Sequence, residues 1–103
     1  MEKYDLSCRF DSRQSFYGKA KVEEKATNGA HGKTILKNLY SYETLVAKIL
    51  YSYIDNKQTI TYIYLGKYSQ TTTRHQKEFF KQNGLSDKEI KELFKKGTLE
   101  VEI

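Results

Sequence analysis

The stretch Ser69–Gly84, SQTTTRHQKEFFKQNG, constrains the fold most, because its spacing departs from that of the rest of the chain. Phe79 and Phe80 supply an apolar edge, while Arg74, Lys77 and Lys81 fall on another edge at spacings of three and four. That is the period of an amphipathic helix. Thr73 followed by Gln76 fits a capping box at its start. Gly84 fits the left-handed residue that closes a helix. A second helical signal follows at once. Ser86-Asp-Lys-Glu89 is another capping box, Ile90, Leu93 and Phe94 share a face, and Gly97 closes the run.

Around these helices the chain alternates with period two, the signature of strands with one buried face. Tyr4–Phe10 reads as a first strand, the polar Asp11–Ser15 as a turn, and Phe16–Glu23 as a second strand, with Phe16, Gly18, Ala20 and Val22 on one face. Thr27–Gly32 reads as a loop by its Asn-Gly. Thr34–Tyr42 and Thr44–Tyr53 read as antiparallel neighbours, since their link is too short for a crossover. Asp55-Asn-Lys57 reads as a turn. Gln58–Leu65, QTITYIYL, is the clearest strand, and Thr98–Ile103 alternates as a last one with Leu99, Val101 and Ile103 inward. The expected architecture is α+β in a single domain over residues 1–103. It has a mostly antiparallel sheet of five to six strands, two C-terminal helices packed on one face, and a closing strand.

The charge excludes some classes of function and favours others. The net charge is +5, and it is unevenly spread. Residues 33–84 hold eight Lys/Arg against three Asp/Glu, while residues 85–103 hold four against five. A basic region attracts nucleic acid or an acidic protein surface, and the same charge also keeps a protein soluble. The single cysteine, Cys8, cannot form an internal disulfide, which points to a reducing compartment. No run approaches the roughly 18 apolar residues of a membrane helix. A cytoplasmic location without membrane contact is therefore expected.

Nine tyrosines are unusual for this length. Tyr40/Tyr42, Tyr51/Tyr53 and Tyr62/Tyr64 are spaced by two, so each pair shares a face if its segment is a strand. Such pairs form either a platform for bases or partners or a core wall with hydroxyls at its rim. Tyr17 and Tyr68, beside Lys19 and Lys67, are the better surface candidates. On the first helix, Arg74, Lys77 and Lys81 are the candidates for phosphate or acidic partners, with Glu78 partly neutralising them. The second helix carries three acids and makes a poor recognition helix.

Catalysis has little support. His31, His75 and Cys8 are the available imidazoles and thiol, and no paired-ligand spacing suits zinc. Gly32-Lys33-Thr34 resembles the tail of a P-loop, but Thr27 stands where that motif needs glycine. Gly29-Ala-His-Gly32 spells an RNA-clamping GxxG, but without the flanking helices. A non-enzymatic protein without cofactor or metal is expected.

Three blocks carry a resemblance: SFYGKA (Ser15–Ala20), SYETLVAKI (Ser41–Ile49) and YSQTTTRHQKEFFKQNG (Tyr68–Gly84). Together they resemble a group of small proteins from phages and plasmids of Gram-positive bacteria. The resemblance implies an accessory protein of a mobile element, working in the host bacterial cell. Small proteins of that setting include anti-CRISPRs. The expectation is a stoichiometric inhibitor of a host CRISPR effector nuclease of type II, binding the nuclease or its guide RNA. The alternative is an accessory protein that binds DNA or RNA directly. The binding residues expected are Arg74, Lys77, Lys81, Lys67, Tyr68, Lys19 and Tyr17.

Overall fold

The computed structural model, which describes residues 2–12 and 15–103, has six antiparallel strands in chain order across one sheet. They are β1 (Glu2–Asp5), β2 (Ala20–Gly29), β3 (Gly32–Ser41), β4 (Thr44–Ile54), β5 (Lys57–Tyr64) and β6 (Thr98–Glu102). Between β5 and β6 come α1 (Gln70–Gln82) and α2 (Asp87–Lys96). The α+β architecture expected from the sequence is the one observed.

Tight turns build the sheet. Tyr42 and Glu43 have φ of 50° and 70°, and Asp55 and Asn56 have φ of 51° and 65°. Two successive positive φ values match the right-handed twist of a hairpin. Tyr42 is a costly residue there. Its N–H donates to the Lys19 carbonyl at 2.9 Å, and its ring lies 5.8 Å from that of His75. The Thr27–Gly32 segment, expected as a loop, is mostly strand: β2 runs to Gly29 and β3 starts at Gly32. A Cβ at Gly32 would collide with the Tyr53 carbonyl, so glycine there serves close strand approach, not phosphate.

Three sequence-based boundaries move. The first strand is Glu2–Asp5, not Tyr4–Phe10, because the Arg9, Phe10 and Asp11 N–H groups bond a carboxylate of α1. The second strand starts at Ala20, not Phe16. Tyr17 and Gly18 form a turn with φ of 53° and 73°. The cap of α1 is Ser69, not Thr73; its Oγ accepts from the Thr72 N–H at 3.1 Å. The α2 box is as expected, with Ser86 and Glu89 bonded reciprocally and Gly97 left-handed. The Asp11–Ser15 turn lies partly outside the described residues.

Both helices cover one face of the sheet. Ala20, Val22, Leu39, Ala47, Ile49 and Tyr62 meet Phe79, Phe80, Ile90 and Leu93 in a single core. A register shift between Leu39 and Tyr40 lets Val46 and Ala47 both enter it. Gln76, expected as part of a cap, is instead buried. Its Nε2 donates to the carbonyls of Val46 and Gly66, each at 3.0 Å. The pair Tyr62/Tyr64 belongs to the core wall. The Tyr62 hydroxyl donates to the Asn83 carbonyl, and burial pushes its pKa up to about 12. Tyr51 also donates to Asn83, at its side-chain oxygen, so Tyr51 and Tyr62 together hold the C-terminus of α1. Beyond the helices the same sheet face is bare, and there Ile103 is 72% exposed rather than inward.

His75 joins α1 to β3. It is fully buried, its Nδ1 lies 2.8 Å from Ser41 Oγ, and Ser41 lies 2.9 Å from Thr72 Oγ1. Phe16 meets the ring edge-on at 4.6 Å. Nε2 has no hydrogen-bond partner. We assign the proton to Nδ1, which leaves a bare acceptor rather than a stranded donor. Burial lowers the pKa of His75 from its ordinary 6.5, against a weaker opposite pull from Asp11. The unfolded chain therefore takes up a proton first as pH falls. Stability from this site is present above about pH 6.5 and is lost below it, by at most ~1.4 kcal/mol per pH unit. Urea midpoints at pH 7.5 and 5.5 should differ in the wild type, and His75→Gln should flatten that difference. An equal difference in both would place the titration elsewhere.

Candidate anion-binding groove

The basic residues of α1 are not equivalent. Arg74 sits 3.7 Å from Asp11, and Lys81 sits 2.9 Å from Asp87. Lys81 donates to Asp87 and holds that carboxyl below its usual range, with Lys77 adding to the effect. Two of the three expected cations are thus answered within the chain. Glu78, expected to soften the surface charge, is buried at 2% exposure. Its Oε1 accepts from the backbone N–H groups of Arg9, Phe10 and Asp11, and its Oε2 from Gln82 Nε2. Glu78 therefore straps the 9–11 segment onto α1 and contributes little to the surface field.

Lys77 remains, and it faces α2. A groove between the helices is lined by Lys77, Lys88, Lys91 and Lys95, with Ile90 and Phe94 among its apolar lining. It is an open groove of about 670 Å³, and Asp87, already held by Lys81, is the acid at its rim. The placement follows from helix periodicity. Lys88, Lys91 and Lys95 recur at three and four and form one stripe spanning about 10 Å of axis. The acids of α2 are used elsewhere: Glu89 accepts from the Ser86 N–H, and Glu92 pairs with Lys96 at 2.8 Å. The lysine on Glu92 also holds that carboxyl below its usual range. The second helix, which sequence reasoning set aside for its acids, carries most of the basic rim.

Phe94 is held at the groove by its neighbours. Its ring stacks on Tyr64 with centroids 4.2 Å apart and meets Phe80 edge-on at 6.4 Å. A fixed apolar floor with mobile ammonium groups above it suits a polyanion that also presents flat or apolar groups. A smaller hollow beside it joins Phe10, Asp11, Arg74, Lys77, Glu78 and Lys81, so the three α1 cations do come together.

The other expected residues lie elsewhere. Lys19 lines a shallow cleft with Lys3, Lys21, Tyr40 and Tyr42 on the side of the sheet away from the helices. Lys3 sits over the Tyr40 ring at 5.1 Å, and Lys21 pairs with Asp5. Glu23 and Glu43 also line that cleft, so its field is mixed. Tyr17 and Tyr68 are exposed, in the turn before β2 and the link before α1, and Lys67 is exposed beside Tyr68. None of these four lines the α1–α2 groove. The sequence signal that could have found the groove was the lysine spacing of three and four on α2.

Ser41 and His75, the Ser–His pair among the hydrogen bonds of the described residues, is sealed from solvent at 2% and 0% exposure. Among the described residues, no group of His, Cys, Asp or Glu is arranged to hold a metal ion, and no helix is long and apolar enough to cross a membrane.

These features define a basic α+β domain with one antiparallel sheet, a layer of two helices and a cationic groove between them. The chain belongs to DUF8033, a family of unknown function, whose model matches residues 4–96 and so includes both helices and every groove lysine. No curated protein and no solved structure matches it.

Proposed function

We propose that this protein acts by stoichiometric binding, with the α1–α2 groove gripping a single-stranded nucleic-acid backbone. One observation carries the reading: Lys77, Lys88, Lys91 and Lys95 converge on one groove, while the acids of both helices are engaged in caps, pairs or the Glu78 strap. In the mobile-element setting that the sequence resemblance implies, the target is the guide RNA of a host type II CRISPR effector. The protein then inhibits the nuclease by competing for that RNA and needs no chemistry of its own. An accessory role on phage or plasmid nucleic acid uses the same groove and differs only in its target.

Fluorescence anisotropy with a labelled guide RNA tests the contact. Four phosphates neutralised on a single strand give a slope of about −2.8 in log affinity against log salt. Affinity should therefore fall about 50-fold between 50 and 200 mM salt. Absence of binding at 50 mM, or binding that ignores salt, would remove the nucleic-acid reading. A plasmid-interference assay in bacteria then separates the two roles. Loss of CRISPR cutting supports the inhibitor; unimpaired cutting with intact RNA binding leaves the accessory role.

A further inference from the structure

We infer that the sheet face away from the helices is an isologous interface between two copies of this chain. An antiparallel sheet with one solvated face ordinarily presents polar residues there. This face has polar residues on its outer strands, but towards its centre it carries Leu36, Tyr40, Leu45, Leu50 and Ile63, none of them fully exposed, and Leu65 at its end. The register makes them contiguous. Leu36 pairs with Leu50, Tyr40 with Leu45, and Lys48 with both Asn38 and Ile63.

The pattern is self-complementary about a two-fold axis parallel to the strands and running between β3 and β4. That operation lays β3 over β4 of the second copy, β2 over its β5 and β1 over its β6. Leu36 then meets Leu50 twice, and Tyr40 meets Leu45 twice, in a symmetric apolar centre. Asn38 lies opposite Lys48 of the second copy, so a polar row crosses the centre between the two apolar ones. At the periphery Lys3 and Lys25 converge on Glu100 of the second copy. On β1 and β2 the face carries Lys3, Lys21 and Lys25 against Asp5 and Glu23, whereas β6 carries Glu100 and Glu102, so the two sides differ in net charge as the operation requires.

The area is adequate. Six strands ~4.8 Å apart and about eight residues long offer a flat face near 700 Å² per copy. Standard interfaces bury roughly 600–1,000 Å² per partner. Two sheets would stack in the aligned manner of a β-sandwich, with the helix layers outermost. The two lysine grooves then lie on opposite outer surfaces and remain free.

Sedimentation equilibrium from 1 to 200 µM tests the inference. The expected species has twice the 12.1 kDa chain mass. Leu50→Glu should shift the population to monomer, with the far-ultraviolet spectrum unchanged. Lys25→Glu, at an exposed position, should weaken the dimer at least tenfold, and Glu100→Lys in the same chain should restore it. That pair decides the matter if L50E fails to fold. A wild type that stays monomeric throughout overturns the inference. So does a dimer unmoved by both Leu50→Glu and Lys25→Glu, since it would use another surface, such as the open edge of β6.

Discussion

Replacing Glu78 by alanine should lower the unfolding free energy by about 3 kcal/mol, the largest effect expected of a single substitution outside the apolar core. The carboxylate is buried and accepts four hydrogen bonds, three of them from the consecutive N–H groups of Arg9, Phe10 and Asp11. Hydrogen bonds to a charged group contribute about 1.5–3 kcal/mol each when buried. The strap can turn toward water once released, so the losses do not simply add. Gln82 also loses its bond to Glu78 Oε2 but keeps the one to the Ser7 carbonyl. Cys8, packed against the core between these anchors, should become reactive to thiol reagents as the strap loosens. Glu78→Gln keeps an acceptor oxygen and should cost about half as much. Guanidinium unfolding checks the stability, and amide exchange at residues 9–11 checks the location. A cost for E78A below about 1 kcal/mol would show that the strap is held by something other than this carboxylate.

The second large effect concerns the groove. Changing Lys77, Lys88, Lys91 and Lys95 together to glutamine should abolish RNA binding at 50 mM salt while leaving the circular dichroism unchanged. All four side chains are exposed, so the fold loses only solvated charge. Each single Lys→Gln should flatten the salt slope by about 0.7, because one counterion contact is lost on a single strand. Arg74→Gln makes the contrast. Arg74 pairs with Asp11 and does not line the groove, so its removal should leave the slope nearly intact. If Arg74→Gln flattened the slope as much as Lys91→Gln, the binding surface would lie on the outer edge of α1 and not between the helices.

How the site escaped sequence reasoning is instructive. Counting charge by segment made residues 33–84 basic and residues 85–103 slightly acidic. The segment count assigns α2 a field it does not have. Its acids are consumed locally, Asp87 on Lys81, Glu89 at the cap and Glu92 on Lys96, and its other three lysines share one stripe. A helical reading of Lys88, Lys91 and Lys95 would have exposed the stripe without any structure. The converse error befell α1. Arg74, Lys77 and Lys81 look alike in sequence, yet two are paired by acids from elsewhere, Asp11 from the strap and Asp87 from the start of α2. Thr72, His75 and Gln76 precede Phe79 and Phe80 at helical spacing, so their burial was legible in principle. Polar identity concealed it.

By itself the sequence determined the fold class, the number and order of the elements after the first two strands, and the second helix with its caps. These rest on local physics: side-chain period, cap chemistry and turn residues act within a few positions of one another. Only the tertiary structure decided where Glu78 points, which cations stay unanswered, and that Lys77 faces Lys88, Lys91 and Lys95 across one groove. Those outcomes depend on groups brought together from distant positions, as Glu78 is with residues 9–11. In Ser69–Gly84 the helix was written locally, while the charge it offers to a partner was set by what packed against it.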